Sequence, residues 1–113
     1  MRREAYWIAP DGEVITVKTT HIDEVIKTPE LFGFNIEEIR SLYKKHDEPL
    51  GLEGKAREEI MKKLILQGWI RIRWKPKEWS YTVQMKQSVE TEKNIQQWLS
   101  YFYKHPDVKY ILI

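Results

Sequence analysis

Apolar and polar residues alternate around an Asp-Gly pair near the start of the chain, which predicts a β-hairpin. Residues 6–9 and 14–17 flank Pro10-Asp11-Gly12-Glu13, and Asp-Gly supplies the positive φ angles of a two-residue type I′ turn. This turn would pair Ile8 with Ile15 and leave both faces of the hairpin largely apolar. We therefore expect one face to pack on the protein and the other to be covered or to meet a partner.

A second alternating pattern spans residues 69–74 and 79–85 and predicts another hairpin, with Lys75-Pro76-Lys77-Glu78 as its turn. If Trp74 and Trp79 lie opposite each other, isoleucine, tyrosine and valine side chains share the core face. The arginines and hydroxyl residues of the two strands then share the other face. We expect this outer face to be cationic and exposed to solvent.

Apolar residues at helical spacing, preceded by capping residues, predict the helices. Residues 20–27 form a short helix capped by a threonine, and residues 28–33 form one further turn that begins at a proline and ends at a glycine. Asn35 and Glu38 have the spacing of a capping box, which begins a helix that ends at about residue 45. The remaining predicted elements are a helix over residues 55–67, a helix over about 90–104 and a strand over 109–113.

The predicted order of elements is hairpin, three helices, hairpin, helix and strand, which is an α+β fold. A length of 113 residues, 42% of them hydrophobic, suits one small domain, divided into a hairpin (1–19), a middle unit (20–85) and a final helix with a strand (86–113). No run approaches the roughly 18 apolar residues of a membrane span, and no secretory signal is visible. We therefore expect a soluble, cytoplasmic protein with no membrane partner.

Several kinds of catalytic and metal site are disfavoured by residue type and spacing. The chain contains no cysteine, which excludes disulfides and cysteine-ligated zinc. The histidines stand beside carboxylates at helix boundaries, where such residues commonly act as caps. The segment from Gly51 to Lys55 lacks the spacing and the hydroxyl residue of a phosphate-binding loop. We predict a protein that is not an enzyme and that needs no metal or cofactor; the three histidines are His21, His46 and His105.

Basic residues concentrate between Lys55 and Lys77. This segment contains eight basic and two acidic residues, whereas the rest of the chain has a net charge of −4. Such a patch attracts phosphate backbones through counterion release, although exposed strands also carry Lys and Arg to stay soluble. Trp69 shares its strand face with the arginines and is a candidate for stacking on a base or sugar. The predicted nucleic-acid-binding residues are Lys55, Arg57, Trp69, Arg71, Arg73, Lys75 and Lys77.

The segment from Thr20 to Met85 resembles a winged helix-turn-helix domain. The resemblance rests on three helices followed by a two-stranded ribbon, and on the phrase Leu64-Ile-Leu-Gln-Gly-Trp-Ile-Arg-Ile-Arg73, in which a helix passes through glycine into a basic strand. In such domains the recognition helix and the wing contact nucleic acid, so the resemblance implies contacts from Lys55, Arg57, Arg71, Arg73 and Lys77. In size and style the whole chain also resembles the small accessory proteins of bacteriophages and mobile elements.

A second function remains open from the sequence alone. The apolar first hairpin and the apolar end of the chain suit a protein-binding or self-associating accessory protein, including a homodimer. Trp7 lies on the second face of the first hairpin, where an aromatic anchor would concentrate binding energy. Trp74, Trp79 and Trp98 are instead predicted to lie in the core. The predicted partner interface consists of Trp7, Tyr110, Ile111, Leu112 and Ile113.

Overall fold

A mixed five-stranded sheet lies between two layers of helices in the computed structural model, which describes residues 5–101 and 107–113. The strands are β1 (Ala5–Ile8), β2 (Val14–Thr16), β3 (Ile70–Lys75), β4 (Ser80–Met85) and β5 (Asp107–Leu112). Their order across the sheet is β2-β1-β3-β4-β5, and all neighbours are antiparallel except β4 and β5, which are parallel. The predicted α+β fold is confirmed.

Two of the helices begin at predicted capping residues whose side chains make the expected hydrogen bonds. They are α1 (His21–Lys27), a 3₁₀ helix (Pro29–Phe32), α2 (Ile36–Lys45), α3 (Lys55–Leu66) and α4 (Val89–Tyr101). Thr20 caps α1, and Asn35 with Glu38 forms the predicted capping box of α2. The predicted continuation of α4 to Lys104 lies outside the described residues. No helix in the described part of the chain is long and apolar enough to cross a membrane.

Both faces of the sheet are partly covered by helices, which explains why the strands are apolar on both sides. Helices α1 to α3 pack on one face, where Trp7 and Trp69 belong to the core, and α4 packs on the other, where Ile70 and Ile72 are fully buried. Successive residues of a strand point to opposite faces. Arg71 and Arg73, between and beyond these isoleucines, therefore share the face of Trp69.

Helix α4 connects two parallel strands. Parallel neighbours cannot be joined by a tight turn and need a crossover, which is usually a helix. Ile95 and Trp98 of α4 are buried against the sheet, as predicted for Trp98. The crossover leaves β5 at one edge of the sheet, where it pairs only with β4 among the described strands.

The predicted register of the first hairpin is wrong by one residue. Ile8 lies opposite Val14, and Trp7 lies opposite Ile15. The loop has three residues, and the N–H of Gly12 donates to the carbonyl oxygen of Ala9 at 2.8 Å. Gly12 has a φ of 94°, as required where a three-residue loop ends in the left-handed region. The proline before Asp-Gly favours this turn over the two-residue turn.

The second hairpin is shifted by two residues from the predicted register. Trp74 lies opposite Tyr81, and because the shift is even, the side chains within the two strands keep their predicted faces. Trp79 falls in the loop with a φ of 50° and is 68% exposed. The prediction that Trp79 packs in the core is therefore wrong, because this residue ends a four-residue loop instead of starting a strand.

The two hairpins form parts of the same sheet. β3 pairs with β1 on one side and with β4 on the other, so the ribbon of β3 and β4 is not a free two-stranded wing. The order of elements from residue 20 to residue 85 is as expected. The resemblance to a winged helix-turn-helix domain stays a prediction at the level of element order, and the basic strand is less exposed than such a wing.

Candidate functional site

A cavity of about 380 Å³ lies between the first turns of α3 and the sheet face formed by β3 and β4. Its charged lining comprises four cations and two carboxylates. Arg57 and Lys62 come from α3, and Arg71 and Arg73 come from β3. The carboxylates are Glu53 and Glu58. We call this site the basic cavity.

Strand β3 places Arg71 and Arg73 side by side on one face without acidic neighbours. On β4, Gln84 lies opposite Arg71 and Thr82 lies opposite Arg73. On β1, the corresponding neighbours are a tryptophan and an alanine. The strands beside the two arginines therefore offer neutral groups and no counter-charge.

Arg71 is a cation whose side chain is partly buried. Its Nε atom is buried and has no hydrogen-bond partner among the residues that the structure describes. Burial, followed by repulsion from Arg73 and Arg57, lowers the pKa of Arg71 to about 10. Because removing a cation from water is costly unless it is paired, the fold maintains this guanidinium at the expense of stability.

Arg57 reaches the basic cavity from the first turn of α3. Its Nη1 lies 3.9 Å from the carboxylate of Glu53, four residues earlier in the chain. Glu53 is 91% exposed, and exposed ion pairs contribute little. The cavity therefore keeps a positive excess.

The start of α3 is capped by Glu48, a role that the sequence analysis missed. The Glu48 carboxylate accepts hydrogen bonds from the backbone N–H groups of Lys55 and Ala56, both at 2.8 Å, and these bonds lower the pKa of Glu48. A side chain at Gly54 would collide with this carboxylate. The helix terminus is thus already occupied by an anion, so the basic cavity relies on side chains.

The structure brings together only some of the predicted nucleic-acid-binding residues. Arg57, Arg71 and Arg73 line the basic cavity. Lys55 is exposed at the start of α3 but does not line it. The two hairpin lysines lie outside the cavity. The half-buried Lys75 ends β3, four residues and about 13 Å along the strand from Arg71. The exposed Lys77 lies in the loop that follows.

The predicted stacking role of Trp69 is wrong. Trp69 is buried, with its ring centroid 4.4 Å from that of Phe32 and 5.9 Å from that of Trp7. The alternation placed it correctly on the face of the arginines. That face is covered by helices at this end, so no base can reach the indole.

The assignment of Trp7 to a partner interface is also wrong. Trp7 is completely buried, and its Nε1–H donates to the carbonyl oxygen of His21 at 3.1 Å. Helix α1 covers the face that the sequence left open. By contrast, the four apolar residues at the end of the chain are 42–51% exposed, so their assignment to an interface stays a prediction; they are Tyr110, Ile111, Leu112 and Ile113.

The described histidines have structural contacts. The Nε2 of His21 lies 3.0 Å from the carbonyl oxygen of Tyr6 and 3.1 Å from that of Ile72, which requires Nε2 to donate. Burial first, and then the charge of Arg71, lowers the pKa of His21 to about 3. His46 contacts the Glu59 carboxylate at 2.6 Å. No group of three metal-binding side chains occurs in the described residues, and His105 lies outside them.

A second cavity, of about 540 Å³, lies on the other face of the sheet between α4 and the end of β5. Its lining is mainly uncharged, with Tyr110 and Leu112 from β5 and Ile95 from α4. One lysine and one glutamate at its rim offer no excess charge. This cavity does not suit an anion, so the basic cavity is the stronger candidate for phosphate chemistry.

Comparisons with known proteins give no relative to guide the assignment, since no protein-family model, curated protein or solved structure matches the chain. The function is therefore argued from the geometry of these residues.

Proposed function

We propose that the protein is a small, non-enzymatic, cytoplasmic nucleic-acid-binding module whose basic cavity and surrounding lysines contact phosphates. The observation that carries the proposal is the gathering of Arg57, Arg71 and Arg73 around one cavity. Two of these guanidinium groups have no carboxylate within ion-pair distance in the described residues. One guanidinium group can donate two parallel hydrogen bonds to two oxygens of a phosphate. These charge-assisted bonds are stronger than bonds from neutral donors.

The surroundings of the cavity extend the positive surface. Lys62 lines the cavity, and Lys55 and Lys77 are exposed at the helix start and the hairpin turn. Each phosphate that such cations neutralise releases counterions, and affinity then falls as salt rises. A contact surface built this way binds strongly at low salt and weakly at high salt.

Aromatic stacking has little part in this proposal. Trp7 and Trp69 are buried, and the exposed Trp79 packs on Trp74 with ring centroids 5.0 Å apart. Trp74 belongs to the core on the α4 side of the sheet, opposite the arginines. Phosphate contacts position a protein but do not identify bases, so we expect weak sequence preference.

The test is fluorescence anisotropy with duplex and single-stranded oligonucleotides at about 50 and 200 mM salt. The Arg71→Ala, Arg73→Ala double variant removes two charges from the cavity. The Lys27→Ala, Lys44→Ala double variant removes two exposed charges elsewhere and serves as the matched control. We expect salt-sensitive binding that the first variant loses and the second keeps; absence of binding to both nucleic acids at low salt would disprove the proposal.

Self-association through β5 is a second candidate function, favoured by the open edge of this strand. The exposed residues at its end are apolar on both faces, with Tyr110 and Leu112 beside the second cavity and Ile113, which follows the strand, beside the basic cavity. An open, apolar strand edge is a template for another strand. A second copy supplies an identical edge, and two such edges can pair antiparallel about a two-fold axis.

Sedimentation equilibrium over a range of protein concentrations tests this second candidate. Ile111→Lys places a charge on the edge and is expected to hold the protein monomeric. Leu52→Lys changes an equally exposed apolar residue in the connector before α3 and should leave a concentration-dependent dimer. A native protein that stays monomeric at every concentration would refute self-association.

A further inference from the structure

Arg71 and Arg73 differ from the other arginines of the described chain. Arg40 and Arg57 each have a glutamate oxygen at 3.9 Å. Among the described residues, Arg71 and Arg73 have no carboxylate within ion-pair distance, and the buried Nε of Arg71 has no hydrogen-bond acceptor. A half-buried cation that forms no ion pair with the described part of its own chain is suited to an anion that comes from outside.

The charge of the basic cavity suggests which phosphate fits. Among the described residues, the side chains that line it include four cations and two carboxylates, a side-chain excess of two positive charges. A terminal phosphate monoester carries a charge of about −1.5 to −2 at neutral pH. A phosphate within a nucleic-acid backbone carries only one negative charge. The cavity therefore matches the end of a strand better than its interior.

The shape and the neutral lining agree with this assignment. A volume of about 380 Å³ lies at the lower end of the roughly 300–1,000 Å³ range of small-ligand sites, which suits one nucleotide end. Gln84 contributes amide donors at the base of the cavity. Met61 and Ile113 contribute apolar groups beside the charged ones.

We propose that the basic cavity binds the terminal phosphate monoester of a nucleic-acid strand, with Arg71 as the central ligand and Arg57 and Arg73 on either side. This inference rests on the proposed nucleic-acid-binding function and specifies what part of the nucleic acid is recognised. The phosphate enters end-on, whereas an internal phosphate would have to carry the chain through the cavity in both directions.

The experiment compares three forms of one short single-stranded oligonucleotide: with a 5′ phosphate, with a 3′ phosphate, and with hydroxyl groups at both ends. Affinities are measured for the native protein, for Arg71→Lys and for Arg40→Lys. Arg71→Lys keeps the charge but loses the paired geometry of guanidinium. Arg40→Lys makes the same change in an exposed arginine of α2, outside the cavity.

We expect one or both terminal phosphates to tighten binding by about tenfold. This preference should disappear in Arg71→Lys and persist in Arg40→Lys. A preference that survives in Arg71→Lys would show that it arises from charge alone and would overturn the inference. Equal binding of all three forms would also overturn it, while leaving the proposed nucleic-acid-binding function intact.

A second measurement separates failure of the inference from failure of the proposed function. If no oligonucleotide binds, the proposed function fails, and thermal unfolding with a nucleoside 5′-monophosphate and with inorganic phosphate examines the cavity alone. Ligands that bind the folded state raise the melting temperature. A rise in the native protein that is absent in Arg71→Lys would support a phosphate monoester site. No rise with either probe would refute the site as well.

Discussion

One face of β3 serves two different purposes at its two ends. At the start of the strand, Trp69 is buried against Phe32 and Trp7. Farther along the same face, Arg71 and Arg73 line the basic cavity. We call these the aromatic end and the basic end. The comparison shows that alternation determines which face a side chain shares, while the neighbouring helices determine whether that face is core or site.

Helix α3 contributes differently to the two ends. The carbonyl oxygen of Leu64, in its last turns, accepts a hydrogen bond from the backbone N–H of Trp69 at 3.1 Å. Arg57 in its first turn and Lys62 past its middle line the cavity. Apolar side chains of this helix therefore close the aromatic end, and its charged side chains line the basic end.

The largest expected effect is on the aromatic end. Trp69→Ala should lower the free energy of unfolding by about 3–5 kcal/mol, because a buried aromatic is lost and a cavity remains. Trp79→Ala is the matched control, since this tryptophan is 68% exposed, and its substitution should change stability far less. Urea denaturation of both variants measures the difference. Similar losses in the two would contradict the assignment of Trp69 to the core.

A pH effect is expected where the two ends meet, at His21. Its pKa is about 3 in the folded protein and about 6.5 when unfolded. Below pH 6.5 only the unfolded state takes up the proton, so stability should fall by about 1.4 kcal/mol per pH unit as pH decreases. His21→Gln keeps a donor but cannot titrate.

Urea denaturation at several pH values between 7 and 5 tests this effect. Hydrogen bonds from the Lys55 and Ala56 N–H groups lower the pKa of Glu48, and the contact with His46 lowers that of Glu59, so both shifts lead away from the tested interval. His21→Gln should show a shallower dependence on pH than the native protein. Parallel curves would mean that His21 is not held neutral.

At the basic end, one substitution is expected to raise the stability of the protein while it weakens oligonucleotide binding. Arg71→Met replaces a half-buried, unpaired cation by an apolar side chain of similar length. We expect the free energy of unfolding to rise by about 1 kcal/mol, because the desolvation penalty disappears, while oligonucleotide affinity falls. A clear loss of stability in urea would show that Arg71 supports the fold rather than the site.

The smallest expected effect concerns the carboxylate nearest Arg57. Glu53→Gln removes an exposed partner at 3.9 Å, so stability should change by less than about 0.5 kcal/mol. Oligonucleotide affinity should rise about two- to threefold, since the cavity gains net positive charge. Anisotropy at low salt measures this gain, and a loss of affinity would indicate that Glu53 positions Arg57 for binding.

Local signals predicted most of the fold. The capping box of Asn35 and Glu38, the cap at Thr20 and the glycine after α3 correctly marked helix boundaries, because each acts within a few residues. Turn details were less accurate. The first hairpin has a three-residue loop that ends at Gly12, where a two-residue turn was predicted. Trp79 lies in a loop because the register of the second hairpin is shifted by two residues.

The candidate site was predictable in part. The run of basic residues identified Arg57, Arg71 and Arg73, and the alternation of β3 placed the last two on one face. Charge and alternation can both be read from the sequence. Burial of Trp7 and Trp69 was not predictable, because it depends on where distant helices pack. Capping of α3 by Glu48 acts across seven residues and has no regular spacing that would reveal it.

The most direct test of the phosphate-binding account is a nuclear magnetic resonance titration of the arginine Nε–Hε signals with a terminally phosphorylated oligonucleotide. The Arg71 Nε is buried, so its proton should exchange slowly and remain visible. We predict a saturable shift of the Arg71 signal, with the indole N–H signal of Trp98, buried on the opposite face of the sheet, nearly unchanged. Binding of the oligonucleotide with no movement of the Arg71 signal would contradict the account.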